Sequence, residues 1–107
     1  WERRRRDIAR QLAFYGSTPA YRRTLECHGW GDLHPRLNRL SKEGRWDEMA
    51  RLVDDEMLET IAVVGARDEI ADKLRARLAG IADAVSLTHN RCPDPHAWAD
   101  VVADLRR

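Results

Sequence analysis

The sequence has no apolar run approaching the ~20 residues that a helix needs to cross a bilayer. It also has no initiator methionine. Its opening, Trp1-Glu2-Arg3-Arg4-Arg5-Arg6, lacks the apolar stretch of a secretory signal. The expectation is therefore a chain that starts inside a longer protein and works in the cytoplasm, away from membranes. Cysteine is scarce: Cys27 and Cys92 lie far apart and form no CxxC pair, so reduced thiols are expected rather than a disulfide frame. A large excess of one charge is missing too. The net charge is +1, although residues 1–53 carry +5 and residues 54–107 carry −4. A nucleic-acid surface needs a basic excess gathered on one face. The one basic run, Arg3–Arg6, has its charges spread around a helix and reads as a solvated helix start.

What is present is helical patterning. Apolar residues make up 43% and charged residues 35% of the 107, a balance suited to one small globular core. Six helices are predicted from apolar spacing. The first runs from about Glu2 to Tyr15 with Ile8, Leu12 and Tyr15 as its apolar stripe, and Gly16 stops it. Thr18-Pro19 restarts the chain as a helix, with Tyr21, Leu25 and His28 on one face and Gly29 at its end. A third helix carries Leu33, Leu37 and Leu40, tolerates Pro35 in its first turn, and closes at Gly44. A fourth begins near Arg45, has Asp47 and Glu48 in its first turn, and buries Trp46, Met49, Val53 and Met57. Ile61–Gly65 is an ambiguous link. The fifth helix opens at Ala66–Glu69, turns Ile70, Leu74 and Leu78 inward, and ends at Gly80.

Ala84-Val85-Ser86-Leu87-Thr88 is the single strand expected in the chain, because of its β-branched content. His89–Pro93 would be a loop, and Asp94-Pro95 the start of a last helix bearing Trp98, Val101, Val102 and Leu105. A lone strand cannot satisfy its own backbone groups. Helix, strand, helix is also how a repeating β/α fold ends. The predicted fold class is thus mainly α, with about six helices and one short strand needing partners from elsewhere.

Two stretches carry a family resemblance. Ala13-Phe14-Tyr15-Gly16-Ser17-Thr18-Pro19-Ala20-Tyr21-Arg22, continued by His28-Gly29-Trp30-Gly31-Asp32-Leu33, resembles luciferase-like monooxygenases. So does Val63-Val64-Gly65-Ala66-Arg67-Asp68-Glu69-Ile70, followed by Ala82–Thr88, with Arg67 standing where the family usually has proline. Leu37–Ser41 and Gly44–Met49 are similar as well. The resemblance implies that residues 1–107 form the C-terminal segment of a luciferase-like (β/α)8 TIM barrel, with Ala84–Thr88 as its last strand and Asp94–Leu105 as its closing helix. It implies oxidoreductase chemistry, monooxygenation or hydride transfer on an organic substrate, with FMN or the deazaflavin coenzyme F420. In such barrels the chemistry lies on loops after several strands, and the resemblance places most of those strands upstream of Trp1. No glycine-rich phosphate loop occurs here. The fragment alone is therefore expected to bind no cofactor and to be inactive, its partner being the rest of the barrel. An arginine- and alanine-rich, lysine-poor composition fits a high-GC bacterium, where deazaflavin enzymes of this family are common.

Tyr15, Tyr21 and Trp30 cluster around the Gly16 and Gly29 breaks and are the candidates for substrate-pocket lining; core packing is the plainer alternative. Cys27, His28, His89, Cys92 and His96 lack the two close pairs of a structural zinc site, and no metal is expected. His89 follows the expected strand and so faces a barrel's active end, or is a plain loop histidine. Asp54-Asp55-Glu56 reads as a solvated face at a helix end. Ser17 has no base at a recognisable spacing, and no catalytic residue is assigned. A different class of function also fits the amphipathic helices: a stand-alone interaction module that dimerises through its apolar stripes or along an unpaired strand edge.

Overall fold

The computed structural model describes residues 1–87, 94 and 96–107. Among these the chain is helical and divides into two compact units, Trp1–Ala62 and Val63–Arg107. None of the described helices is long and apolar enough to cross a membrane.

The first unit contains α1 (Glu2–Ser17), a 3₁₀ turn (Pro19–Tyr21), α2 (Arg22–Glu26), α3 (Leu33–Lys42), α4 (Trp46–Arg51) and α5 (Asp55–Ile61). Its long first helix packs chiefly on α3 and α4. The buried stripe of α1 is not the expected Ile8, Leu12 and Tyr15 but their neighbours Ala9, Ala13 and Gly16, at i, i+4 and i+7. Small residues on the contact face let α1 approach α3 closely. A Cβ at Gly16 would lie only 2.8 Å from Leu37 Cδ1. Ile8 and Leu12 flank that face half-buried, and Tyr15 is exposed. Leu37, Met49, Val53 and Leu58 fill the centre and are almost wholly buried. Each contributes roughly 1.5–3 kcal/mol of apolar burial.

The predicted fourth helix is two. The first half ends at Arg51, and Asp54 begins a second with extended backbone (φ −83°, ψ 174°), its carboxylate accepting from the Met57 N–H at 2.8 Å. Aspartate at that position satisfies one of the otherwise orphaned N–H groups of a helix start. The acidic run is thus a helix beginning, not a helix end: Asp55 and Glu56 occupy the first turn of α5, and Asp55 also pairs with Arg5 at 2.6 Å. Trp46, expected in the buried stripe, is 44% exposed because α4 turns Met49 and Ala50 inward instead.

The second unit has a 3₁₀ turn (Arg67–Glu69), α6 (Ile70–Leu78) and α7 (Ala99–Leu105). The Glu69 carboxylate reaches back to the Ala66 N–H at 3.1 Å, half of a capping box that alanine cannot reciprocate. Lys73 holds the same carboxylate at 3.0 Å and, with the backbone donor, keeps it below the usual carboxylate range. Arg67 binds the Asp100 carboxylate at 2.5 Å, donates to the Ala97 carbonyl, and lies 5.3 Å from the centre of the Trp98 ring. The arginine that departs from the family pattern thus ties the start of α6 to the start of α7.

Among the described residues no strand forms. Ala84–Leu87 are neither helical nor paired, and Thr88 lies outside the described residues. A strand exists only through its ladder of hydrogen bonds to a neighbour, and no described segment offers one. Ala84, Val85 and Leu87 instead border an open groove with Leu74, Leu78, Val102 and Leu105. Among the described residues of this unit only Ala71 and Val101 are buried, a thin core. The last helix begins at Ala99, not Asp94: Asp94 caps a turn, accepting from the His96 N–H at 2.9 Å. His89, Cys92, Pro93 and Pro95 lie outside the described residues.

Candidate functional site

The end of α1 is where backbone chemistry and exposed aromatic groups meet. A helix leaves its last four carbonyls without intrahelical partners; in α1 these belong to Phe14, Tyr15, Gly16 and Ser17. All four are satisfied. Ser17 and Thr18 hydroxyls donate to the Phe14 carbonyl at 2.7 and 3.2 Å, and the Thr18 N–H donates to Tyr15 at 3.1 Å. The other two donors come from α3: His34 Nδ1 to the Gly16 carbonyl at 2.8 Å and Asn38 Nδ2 to the Ser17 carbonyl at 3.0 Å. Because a carbonyl can only accept, His34 must carry its proton on Nδ1.

Thr18 then turns the chain into extended backbone (φ −85°, ψ 122°), and Pro19 sets the following 3₁₀ turn. That corner brings Tyr21 back onto Tyr15, ring centres 5.6 Å apart and nearly perpendicular at 87°, the edge-to-face arrangement favoured by the aromatic quadrupole. The pair is not core: Tyr15 is 44% and Tyr21 49% exposed. Phe14 contacts Tyr15 at 5.9 Å and Trp46 at 6.4 Å, and both Phe14 and Trp46 are exposed, so four aromatic rings make one run on this surface.

Of the three predicted pocket residues, the fold therefore joins two. Trp30 sits half-buried in the turn between α2 and α3 and stacks on His28 at 4.7 Å instead. Sequence reasoning names none of Phe14, Trp46, His34 and Asn38 as site residues, and it assigns Trp46 to the core. A signal existed for the last two, polar residues four apart beside the apolar Leu33, Leu37 and Leu40 of the same helix; in the fold His34 is only 7% exposed. A buried polar group implies a partner.

The family model for luciferase-like monooxygenases matches residues 2–84, more than three-quarters of the chain and the whole of this corner. The chain belongs to that family. Curated relatives include uncharacterized proteins of Mycobacterium bovis and of two Mycobacterium tuberculosis strains. Each is 63% identical over 76 residues, which is 71% of this chain and 22% of the relative. The chain thus spans about a fifth of the length of the curated relatives it matches. No solved structure matches.

Luciferase-like proteins generally use flavin or F420, so the described residues can be tested for a place to hold one. They do not fit. A phosphate cradle needs glycine-opened backbone aimed at open space beside a helix N-terminus. Here Gly29, Gly44 and Gly80 have open space and positive φ (77°, 69° and 74°), but each follows a helix C-terminus. Gly16, Gly65 and Gly31, the last just ahead of α3 and 3.0 Å (from an added Cβ) from Glu26, face their own unit's side chains. Arg5 and Arg10 are taken up by Asp55 and Asp47, at 2.6 and 2.7 Å. Among the described residues no three histidine, cysteine, aspartate or glutamate side chains gather as metal ligands. What this corner offers chemically is an apolar, π-rich wall edged by two phenol hydroxyls.

Proposed function

We propose that the chain is the C-terminal part of a flavin- or F420-dependent luciferase-like oxidoreductase, and that in the intact protein the Tyr15–Tyr21 pair forms one wall of the organic-substrate pocket, with Trp30 contributing from the adjoining turn. The bound cofactor, FMN or F420, supplies the redox chemistry and is held by the remainder of a (β/α)8 barrel. This chain completes the barrel and is inactive alone. The observation carrying the reading is the exposed edge-to-face tyrosine pair, at a corner whose every helix-terminal carbonyl is tied down, within the stretch that matches the family. Ordered aromatic surface on a rigid support is what a pocket wall requires.

Two titrations test it, each with FMN and with F420 and each followed by absorbance. The intact protein should bind one of the two stoichiometrically, and this 107-residue chain neither. Tight binding by the chain alone would place the cofactor site here and refute the division of labour. An intact protein that binds neither would refute the oxidoreductase reading.

A further inference from the structure

The corner that carries the Tyr15–Tyr21 pair is held from behind by two side chains of α3. Tyr15 is fixed by the helix it belongs to, but Tyr21 lies beyond the break, and its position depends on the angle through which the chain turns at Gly16–Thr18. Two carbonyls flank that angle, and both are gripped by one face of α3, through His34 at 2.8 Å and Asn38 at 3.0 Å. Gly16 and Ser17 are themselves buried, so a carbonyl released there would keep an unmet acceptor away from water, a cost that favours rearrangement of the corner.

We infer that His34 and Asn38 are positioning residues for substrate recognition: their donated hydrogen bonds set the corner that holds the two tyrosine rings edge to face. The inference rests on the pocket reading above for its functional meaning, but its geometric core stands apart from it. His34 acts through Nδ1–H alone, so an asparagine, whose amide nitrogen lies near the place of Nδ1, preserves the contact, while alanine abolishes it. At Asn38 an aspartate keeps the shape but turns a donor into an acceptor facing a carbonyl.

The test uses His34→Asn, His34→Ala and Asn38→Asp. In the 107-residue chain, nuclear Overhauser contacts between the Tyr15 and Tyr21 rings should persist in the wild type and in His34→Asn. They should vanish in His34→Ala and Asn38→Asp, while amide spectra of α3, α4 and α5 stay dispersed. Nitrogen shifts of the His34 ring should show the proton on Nδ1. In the intact protein, indole serves as a planar apolar probe titrated against labelled tyrosine resonances. Its dissociation constant should rise about fivefold in His34→Ala and return to near the wild-type value in His34→Asn, a rescue that lost core packing would not produce. Ring contacts surviving in folded His34→Ala and Asn38→Asp would overturn the inference, as would His34→Asn behaving like His34→Ala. Should Tyr15→Ala and Tyr21→Ala leave indole binding unchanged, the pocket reading falls and takes the functional role with it; the ring contacts in the first arm separate that outcome from a failure of the positioning itself.

Discussion

Replacing Gly16 by alanine sets two opposing effects against each other, and the structure decides between them. Alanine is the better helix former, by about 1 kcal/mol in a helix interior. The new methyl would, however, sit 2.8 Å from Leu37 Cδ1 and 3.4 Å from Leu25 Cδ1. Leu37 is a side chain that elsewhere could swing aside, but at 1% exposure it has nowhere to go. Overfilling a packed core costs about 1–3 kcal/mol, so Gly16→Ala should destabilise the Trp1–Ala62 unit by about 1 kcal/mol net. Leu37→Val removes the offending methyl at a cost of about 0.5–1.5 kcal/mol, the range for deleting one buried methylene. In that background Gly16→Ala should become neutral or stabilising. The predicted signature is a change of sign across a double-mutant cycle, with a coupling energy of about 1–2 kcal/mol. Amide hydrogen exchange in α1 and α3 is the assay, because it reports this unit separately from Val63–Arg107, where a single melting temperature would merge the two. Additive effects, or a stabilising Gly16→Ala in the wild-type background, would refute the close-approach account of the α1–α3 contact.

Asp54→Ala should cost about 1 kcal/mol by removing the acceptor for the Met57 N–H, and Asp54→Asn should be nearly silent because its carbonyl still caps α5. Urea unfolding followed at α5 amides reads both. Asp100 titrates near 2 in the fold rather than at its ordinary 3.8, held down mainly by its hydrogen bonds from Arg67. A depressed carboxylate contributes stability that is fully present above its unfolded value and is lost as pH falls through the folded one. The Val63–Arg107 unit should therefore weaken from about pH 4 down to about pH 2, and Asp100→Asn should flatten that slope, as read from α7 amide peaks during urea titrations at fixed pH.

Local rules made some elements legible. Gly29, Gly44 and Gly80 each end a helix at positive φ, where glycine avoids the penalty of a side chain, and the leucine spacing of α3 lies on its buried face. The errors share one cause: partners distant in sequence. Apolar spacing alone favoured Ile8, Leu12 and Tyr15 on α1, yet the neighbouring face of Ala9, Ala13 and Gly16 wins because α3 and α4 press against it. Asp54 interrupts what periodicity reads as one continuous helix, since a cap is marked by a single residue inside an unbroken apolar rhythm. Ala84–Leu87 has strand composition, but the ladder that makes a strand belongs to a neighbour that no described segment supplies. At the site, Tyr15 and Tyr21 were visible as aromatic groups beside a glycine break. Their mutual contact, the separation of Trp30 from them, and the tethers from His34 and Asn38 depend on how α3 docks, which no window along the chain contains.

The closure of α1 by α3 also has an order in time. The final turn of α1 is finished by donors that lie 18 and 21 residues later in the chain, so a nascent polypeptide ending before Asn38 cannot complete it. Until α3 emerges, those carbonyls must bind water and the helix frays at that end. Stalled chains released between Ser17 and Lys42 should accordingly show a ragged α1 terminus that sharpens abruptly once Asn38 is free. In this unit the earliest helix made is among the last to be finished.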